Sequence, residues 1–403
     1  MKKIALALIV VSFLNVDLFA QTIFDEIATS EELNTISTSV PFLLIAPDSR
    51  AGAMGDIGVA TSPDHNSIHW NASKFAFIED DRGVSLSYTP WLQDLVPEIS
   101  LSYLSGFRRL NSRSTIAGSM RYFSLGEIQF TDSQGQFISN FNPNEFTIDG
   151  AYAMKLSKNF SSGLAMRYIY SNLTGGIQIP DGGGATKPGT SFAVDLSSYF
   201  QSDKFDIDDK EAYFAAGFNI SNIGNKISYT DGGEEFFLPA NGRLGANLFM
   251  ELDDYNTVSF AFDINKLLVP TPPIYDSLAT VPGPDNIISG KDPNVGVLQG
   301  IFQSFSDAPG GFQEELNELM YSVGAEYWYM NQFAFRGGYF HEHETKGARK
   351  YFTVGVGLKM NVFSLDMAFL LPATRGIRSP LANTLRFTLL FDMAALYATD
   401  KEF

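Results

Sequence analysis

Apolar and polar residues alternate with a period of two along most of this chain. From Val258 to Asn265 the sequence reads V-S-F-A-F-D-I-N. Val258, Phe260, Phe262 and Ile264 fall on one face, and Ser259, Ala261, Asp263 and Asn265 on the other. The same rhythm sets Leu385, Phe387, Leu389 and Phe391 against Arg386, Thr388 and Asp392. It also sets Phe363, Leu365, Met367 and Phe369 against Ser364, Asp366 and Ala368. A soluble sandwich alternates too, so the number and spacing of such segments must decide.

Strands are predicted near 84–91, 98–107, 113–124, 144–156, 159–172, 190–202 and 211–221. Seven more follow near 241–252, 255–266, 318–330, 332–343, 349–361, 362–371 and 383–394. That is about fourteen, an even number, each near the roughly ten residues a tilted strand needs to cross a bilayer. Short connections fall around Asn111, Lys158, Asp208, Asp254, Asn331 and Asn361. Longer ones cover 92–97, 125–143, 173–189, 222–240, 267–317, 344–348 and 372–382. With both ends of the barrel chain in the periplasm, every short turn lands there and every longer loop faces outward. A soluble fold has no reason to sort its loops in this way.

Composition strengthens the reading. The chain carries 35 Phe, 17 Tyr and 35 Gly with only 18% charged residues and no cysteine, so a disulfide framework and a lipid-anchored cysteine are both excluded. The formal net charge of −17 argues against a nucleic-acid partner. Lys2 and Lys3 precede an apolar run from Ile4 to Leu14, and Ala20 offers a small residue for cleavage, so 1–20 reads as an export signal peptide. The expected fold is all-β: a transmembrane antiparallel barrel spanning 83–403, in the outer membrane of a Gram-negative cell.

Charges on the polar faces include Arg121, Asp149, Lys155, Arg167, Asp195, Arg243 and Asp263, and then Glu326, Arg336, Lys359, Asp366, Arg386 and Asp392. Directed into the lumen they pair with one another; directed into lipid each costs several kcal/mol. Tyr88, Trp91, Tyr103, Tyr168, Tyr170, Tyr327, Trp328 and Tyr329 lie near strand ends or at outward positions, where interfacial girdles form. Residues 21–82 lack continuous alternation and are too long for a linker, so they are expected to fold inside the barrel as a plug.

Catalytic and metal chemistry find no footing. His65 and His69 have the i, i+4 spacing of a zinc pair, but Asn66 stands where the glutamate of H-E-x-x-H belongs. His341 and His343 fall at a predicted strand end. Gly182-Gly183-Gly184-Ala185-Thr186-Lys187 fails the phosphate-loop frame, and no G-x-S-x-G elbow exists. The pairs Asp80-Asp81, Asp208-Asp209 and Asp253-Asp254 fall in predicted turns. No metal, cofactor or catalytic residue is expected, and the chain is not read as an enzyme.

The 267–317 loop is unusual. Prolines 270, 272, 273, 282 and 284 precede Leu298, Ile301, Phe302 and Phe305, which have the spacing of an amphipathic helix. That helix either folds over the barrel mouth or is presented to a protein partner. Trp91, Leu92, Leu95 and Val96 in the first long loop pose the same choice.

The stretch from Pro41 through Ser49-Arg50-Ala51-Gly52-Ala53-Met54-Gly55-Asp56-Ile57-Gly58 to Trp70-Asn71 resembles the plug signature of the PorV family. Arg50, Gly52, Met54, Gly55, Gly58 and Asn71 are its clearest positions. That family belongs to the FadL-like outer-membrane barrels, and the resemblance extends over the mature chain. It implies a component of the type IX secretion system of Bacteroidetes-type bacteria. Such a component associates with the giant translocon barrel and captures cargo through its C-terminal signal domain. It then passes that cargo to the sortase-like surface attachment complex, in contact with outer-membrane lipid throughout. The loops at 92–97 and 267–317 would then meet translocon and cargo. The alternative is a FadL-like channel for hydrophobic small molecules. Independently of the resemblance, Gly52, Gly55 and Gly58 are expected where backbone presses on the barrel wall, with Arg50 and Asp56 paired to charges on the strands.

Overall fold

The computed structural model describes residues 33–403 except 93–95, 97, 132–133, 177–184, 277–282, 374–383 and 394–403. The expected signal peptide lies outside these residues. So do Leu95, the glycine run at 182–184 and most of the 372–382 loop.

The barrel begins with β1 (Arg82–Pro90), β2 (Ser100–Arg109) and β3 (Ser114–Ser124). A small hairpin, β4 (Ile128–Thr131) and β5 (Phe137–Phe141), fills the next connection. The wall continues with β6 (Asn144–Lys155), β7 (Phe160–Asn172) and β8 (Gly189–Gln201). The short β9 (Phe205–Ile207) precedes β10 (Lys210–Gly224), β11 (Asn241–Asp253) and β12 (Asn256–Leu267). A second small hairpin, β13 (Ile274–Tyr275) with β14 (Ile287–Ser289), sits in the longest loop. The wall ends with β15 (Met320–Tyr329), β16 (Phe333–His341), β17 (Lys350–Lys359), β18 (Phe363–Pro372) and β19 (Leu385–Asp392). Each wall strand pairs antiparallel with the next, and β19 returns to β1 with Gly83 opposite Asp392 and Tyr88 opposite Phe387. Fourteen strands thus close on themselves and leave the wall no free edge.

Burial inverts the soluble pattern. On β1 the apolar Val84, Leu86 and Tyr88 are 36, 52 and 48% exposed, whereas Ser85, Ser87 and Thr89 are at most 1% exposed. On β12, Phe260 and Phe262 are exposed while Ser259, Asp263 and Asn265 are buried. Only a wall facing hydrocarbon outside and polar groups inside stabilises that arrangement, which places the barrel in the outer membrane. No helix among the described residues is long and apolar enough to cross a membrane, a statement that leaves crossing by strands open. The turns at one end are tight. Asp208 and Asp209, and Met330 and Asn331, take positive φ in succession, the conformation that matches hairpin twist. The long loops gather at the other end.

Two girdle expectations need correction. Tyr103 is 1% exposed and faces inward, its ring 5.5 Å from the Arg121 guanidinium. Trp328 likewise lies beneath Arg336, at 5.4 Å. Both occupy inward phases of their strands, where an aromatic ring satisfies a buried cation better than lipid does. Of the charges expected in the lumen, Lys359 is exposed near the end of β17, where water reaches its ammonium group.

Candidate functional site

The N-terminal segment folds in short pieces against the inner wall. Pro41–Leu44 forms one 3-10 turn and Ala72–Phe77 another, with short helices at Ser49–Gly52 and Ser67–Trp70. The first helix exists because Asp48 caps it, accepting from the Ala51 N–H at 2.9 Å. The other oxygen of Asp48 accepts from Trp70 Nε1 at 2.7 Å and ties the two helices together.

Arg50 then reaches the wall. Its Nε and Nη2 donate to the two oxygens of Glu326 at 3.0 and 2.8 Å, and Nη1 donates to Asp64 at 3.0 Å. Glu326 also accepts from Arg336, which bonds Asp366 at 2.6 Å. The result is an alternating chain, Asp64–Arg50–Glu326–Arg336–Asp366. Asp56 accepts from Arg386 at 2.8 Å and from the Tyr351 hydroxyl at 2.5 Å. Both pairings were legible from the requirement that lumen charges be neutralised. A second buried cluster joins Arg167 to Asp149, Asp195 and Asn222 within the wall.

Backbone contacts complete the fit. Gly58 and Val59 N–H groups donate to Asp263, Gly55 N–H to Thr353, and Ser49 N–H to Thr388. Asn71 donates to the carbonyls of Val59 and Ser198 at 2.9 Å each and holds Ser73 N–H with its own oxygen. Met54 packs with Ile57 and Ala261. A side chain on Gly55 would strike the Tyr339 backbone at 2.7 Å, and one on Gly52 would strike Arg386. Gly58 differs from expectation: it makes room for Trp70 of its own segment and not for the wall. The wall answers with glycines that sequence reading missed. Gly217, Gly324 and Gly338 each lie within 2.1–2.5 Å, measured from a virtual Cβ, of the segment's backbone. A signal was present at Gly324 and Gly338, inward positions whose neighbours two residues away are Ser322 and Glu326, and Arg336 and Phe340.

Part of the far half of the lumen is filled by an apolar cluster. Val40, Phe42 and Leu43 pack with Leu101, Phe123, Ile169 and Leu238, and Trp91 covers the cluster from the first long loop. Arg121 donates to the carbonyls of Phe42 and Leu43 and to His69 Nδ1. His69 is therefore a structural partner, while His65 packs edge-on against Phe107 with ring centroids 5.2 Å apart. Among the described residues no three His, Cys, Asp or Glu side chains are grouped to hold a metal.

At the long-loop end the predicted amphipathic helix is Val297–Gln303. Ile301 is buried against Ala240, Leu268 and Val269, but Leu298, Phe302 and Phe305 are 65, 75 and 58% exposed. One face holds the loop down and the other is left open. Phe305 lies beyond the helix end. Leu92 takes positive φ, and Val96 is partly exposed. The loop is tied to the barrel by charges. Lys266 pairs with Glu315 and Glu318, and Lys346 with Glu314 and Glu318.

Asp307 lies beside this latch, accepting from the Thr271 N–H at 3.2 Å. Burial, reinforced by Glu315 and Glu318, pushes its carboxyl up to about 6. Because the docked loop favours the protonated acid, the Asp307 contribution is complete below the ordinary value of 3.8 and is lost as pH rises through about 6. Limited proteolysis of the 268–319 loop is expected to quicken over that window and to lose most of this dependence in Asp307→Asn.

A family model for the type IX secretion system protein PorV matches residues 28–274. No curated protein sequence matches the chain. Among solved structures the chain is similar to the Ralstonia pickettii toluene transporter TbuX, at 12% identity over 85% of this chain and 96% of that one, with a TM-score of 0.44. It is also similar to the Pseudomonas putida toluene transporter TodX, at 10% identity over 89% and 98% of the two chains, TM-score 0.45. A Pseudomonas aeruginosa FadL homologue matches at 12% identity over 89% and 99%, TM-score 0.43. With the family match running over more than half its length, this chain belongs to the PorV family and is an outer-membrane component of the type IX secretion system.

Proposed function

We propose that this protein works through its long-loop end and not through its lumen. In this reading residues 21–82, of which 21–32 lie outside the described residues, are a permanent plug, and Arg50, Gly52, Met54, Gly55, Asp56, Gly58 and Asn71 lock it to the wall. The long loops face the cell exterior. There they contact the giant translocon barrel, capture exported cargo by its C-terminal signal domain and hand it to the surface attachment complex. Trp91, Leu92, Leu95, Val96, Leu298, Ile301, Phe302 and Phe305 are the contact residues, Ile301 acting from beneath by holding the helix in place.

One observation carries this reading: apolar side chains are spent in opposite ways at two places. In the lumen, Val40, Phe42 and Leu43 are packed away in a buried apolar cluster. At the long-loop end, Leu298, Phe302 and Phe305 remain uncovered at a cost in exposed apolar surface. The channel alternative requires the reverse.

A deletion strain separates the two. Cargo is expected to accumulate in the periplasm and to be missing from the cell surface, with uptake of hydrophobic compounds unchanged. Normal cargo delivery would sink the secretion reading, and slowed growth on a hydrophobic substrate would favour the channel. Copurification with a much larger barrel protein from detergent extracts is the matching biochemical expectation.

A further inference from the structure

A groove of about 640 Å³ opens at the long-loop end between the 225–240 loop and the proline-rich start of the longest loop. Its apolar surface comes from Phe236, Phe237 and Tyr275. Phe236 is 41% exposed, so one wall is an uncovered ring.

The ionised groups of the groove are mostly acidic. Pro270, Pro272, Pro273, Pro284 and Pro293 line it, and proline has a carbonyl but no N–H. Glu234, Glu235 and Asp292 add carboxylates, and both glutamates are exposed near the loop tip. Three carboxylates against the single ammonium group of Lys226 leave the lining net acidic. It already accommodates one ammonium group: Lys226 Nζ lies 4.1 Å from the centroid of the Phe237 ring.

We propose that this groove binds an extended polypeptide segment in which lysine or arginine is flanked by apolar side chains. Aliphatic or aromatic residues of the segment cover Phe236 and Tyr275, and its cationic heads meet Glu234 and Glu235. An acidic segment is repelled. The proposal rests on the reading of the long-loop end as the cargo-facing surface, and it narrows the cargo chemistry that end selects.

The test uses full-length protein in detergent and a fluorescently labelled peptide, Ala-Val-Lys-Tyr-Lys-Val-Ala, beside its counterpart with glutamate for lysine. The lysine peptide is expected to bind, with the glutamate peptide at least about tenfold weaker. The double variant Glu234→Lys/Glu235→Lys should reverse that preference, and Phe236→Ser should weaken the lysine peptide. Both glutamates are exposed, so the double variant is expected to keep the barrel intact, checked by its heat-dependent gel mobility. Equal binding of the two peptides, or a preference untouched by charge reversal, overturns the proposal. Because the titration needs no secretion, normal cargo delivery in the deletion strain would remove the proposed function and leave this result standing. Absence of peptide selectivity together with failed cargo delivery would remove the groove alone.

Discussion

Gly338→Val is expected to cause the largest loss of stability of any single substitution in the wall. A Cβ at this position would sit 2.1 Å from the Met54 carbonyl carbon and 2.4 Å from the Gly55 nitrogen. Both are backbone atoms, so no rotamer change relieves the clash. Nor has the segment an easy retreat. On the neighbouring strand Gly324 leaves only 2.5 Å to the Met54 oxygen, and Gly55 itself holds φ +78 beneath Tyr339. Overpacking ordinarily costs about 1–3 kcal/mol, and a backbone collision held from two strands should reach or exceed the top of that range. Gly150→Ala supplies the control, because nothing lies within 4 Å of its missing side chain. In heat-modifiability gels Gly338→Val should unfold at clearly lower temperature, and protease should reach 35–81 in the intact barrel. Behaviour matching Gly150→Ala would show that the segment is not wedged against this wall.

The same contacts explain what the sequence disclosed and what it concealed. A strand crossing lipid places apolar residues on most outward positions, so β6 and β7 are visible at Asn144–Lys155 and Phe160–Asn172 almost to the residue. Inward positions obey a weaker rule: they need only match whatever fills the lumen. Gly217, Gly324 and Gly338 are inward positions matched to a backbone from hundreds of residues away, and nothing local marks the partner. Tyr103 misled for the same reason. Its aromatic ring fits a girdle as well as a buried stack on Arg121, and only the strand phase decides. In the N-terminal segment, Arg50 and Asp56 were legible because a charge in a lumen demands an opposite charge, whereas Gly58 was misassigned because its crowding comes from Trp70 twelve residues on. At the long-loop end the period of 298, 301, 302 and 305 correctly announced a helix, but a helix of Val297–Gln303 can bury only part of that face. Which part stayed open depended on Leu268 and Val269, whose position follows from closing the barrel.

Glu326→Gln is expected to be the most damaging charge substitution, for a reason that exposed ion pairs do not share. Glu326 receives three guanidinium N–H bonds, two from Arg50 and one from Arg336, and lies at the middle of the five-residue chain. Without its charge the two arginines remain in a buried lumen, each keeping a single carboxylate, Asp64 or Asp366. Breaking a buried pair by removing one partner costs about 3–5 kcal/mol, because the stranded charge cannot return to water. Lys204 with Glu211 and Glu251 makes the contrast: three groups at the surface whose loss should register at about 0–1 kcal/mol. A double-mutant cycle with Arg50→Gln isolates the cross-link between segment and wall. Both single variants should lower the unfolding temperature, and the double variant should lie well above the additive expectation, since removing Arg50 also removes the charge that Glu326→Gln strands. The Arg50 variants should further expose 35–81 to protease before the barrel itself opens, because the segment then keeps only Asp56–Arg386 as an ion pair to the wall among the described residues. Strict additivity, with the segment released only when the barrel unfolds, would mean that backbone contacts alone hold it and that Arg50 serves the fold in some other way.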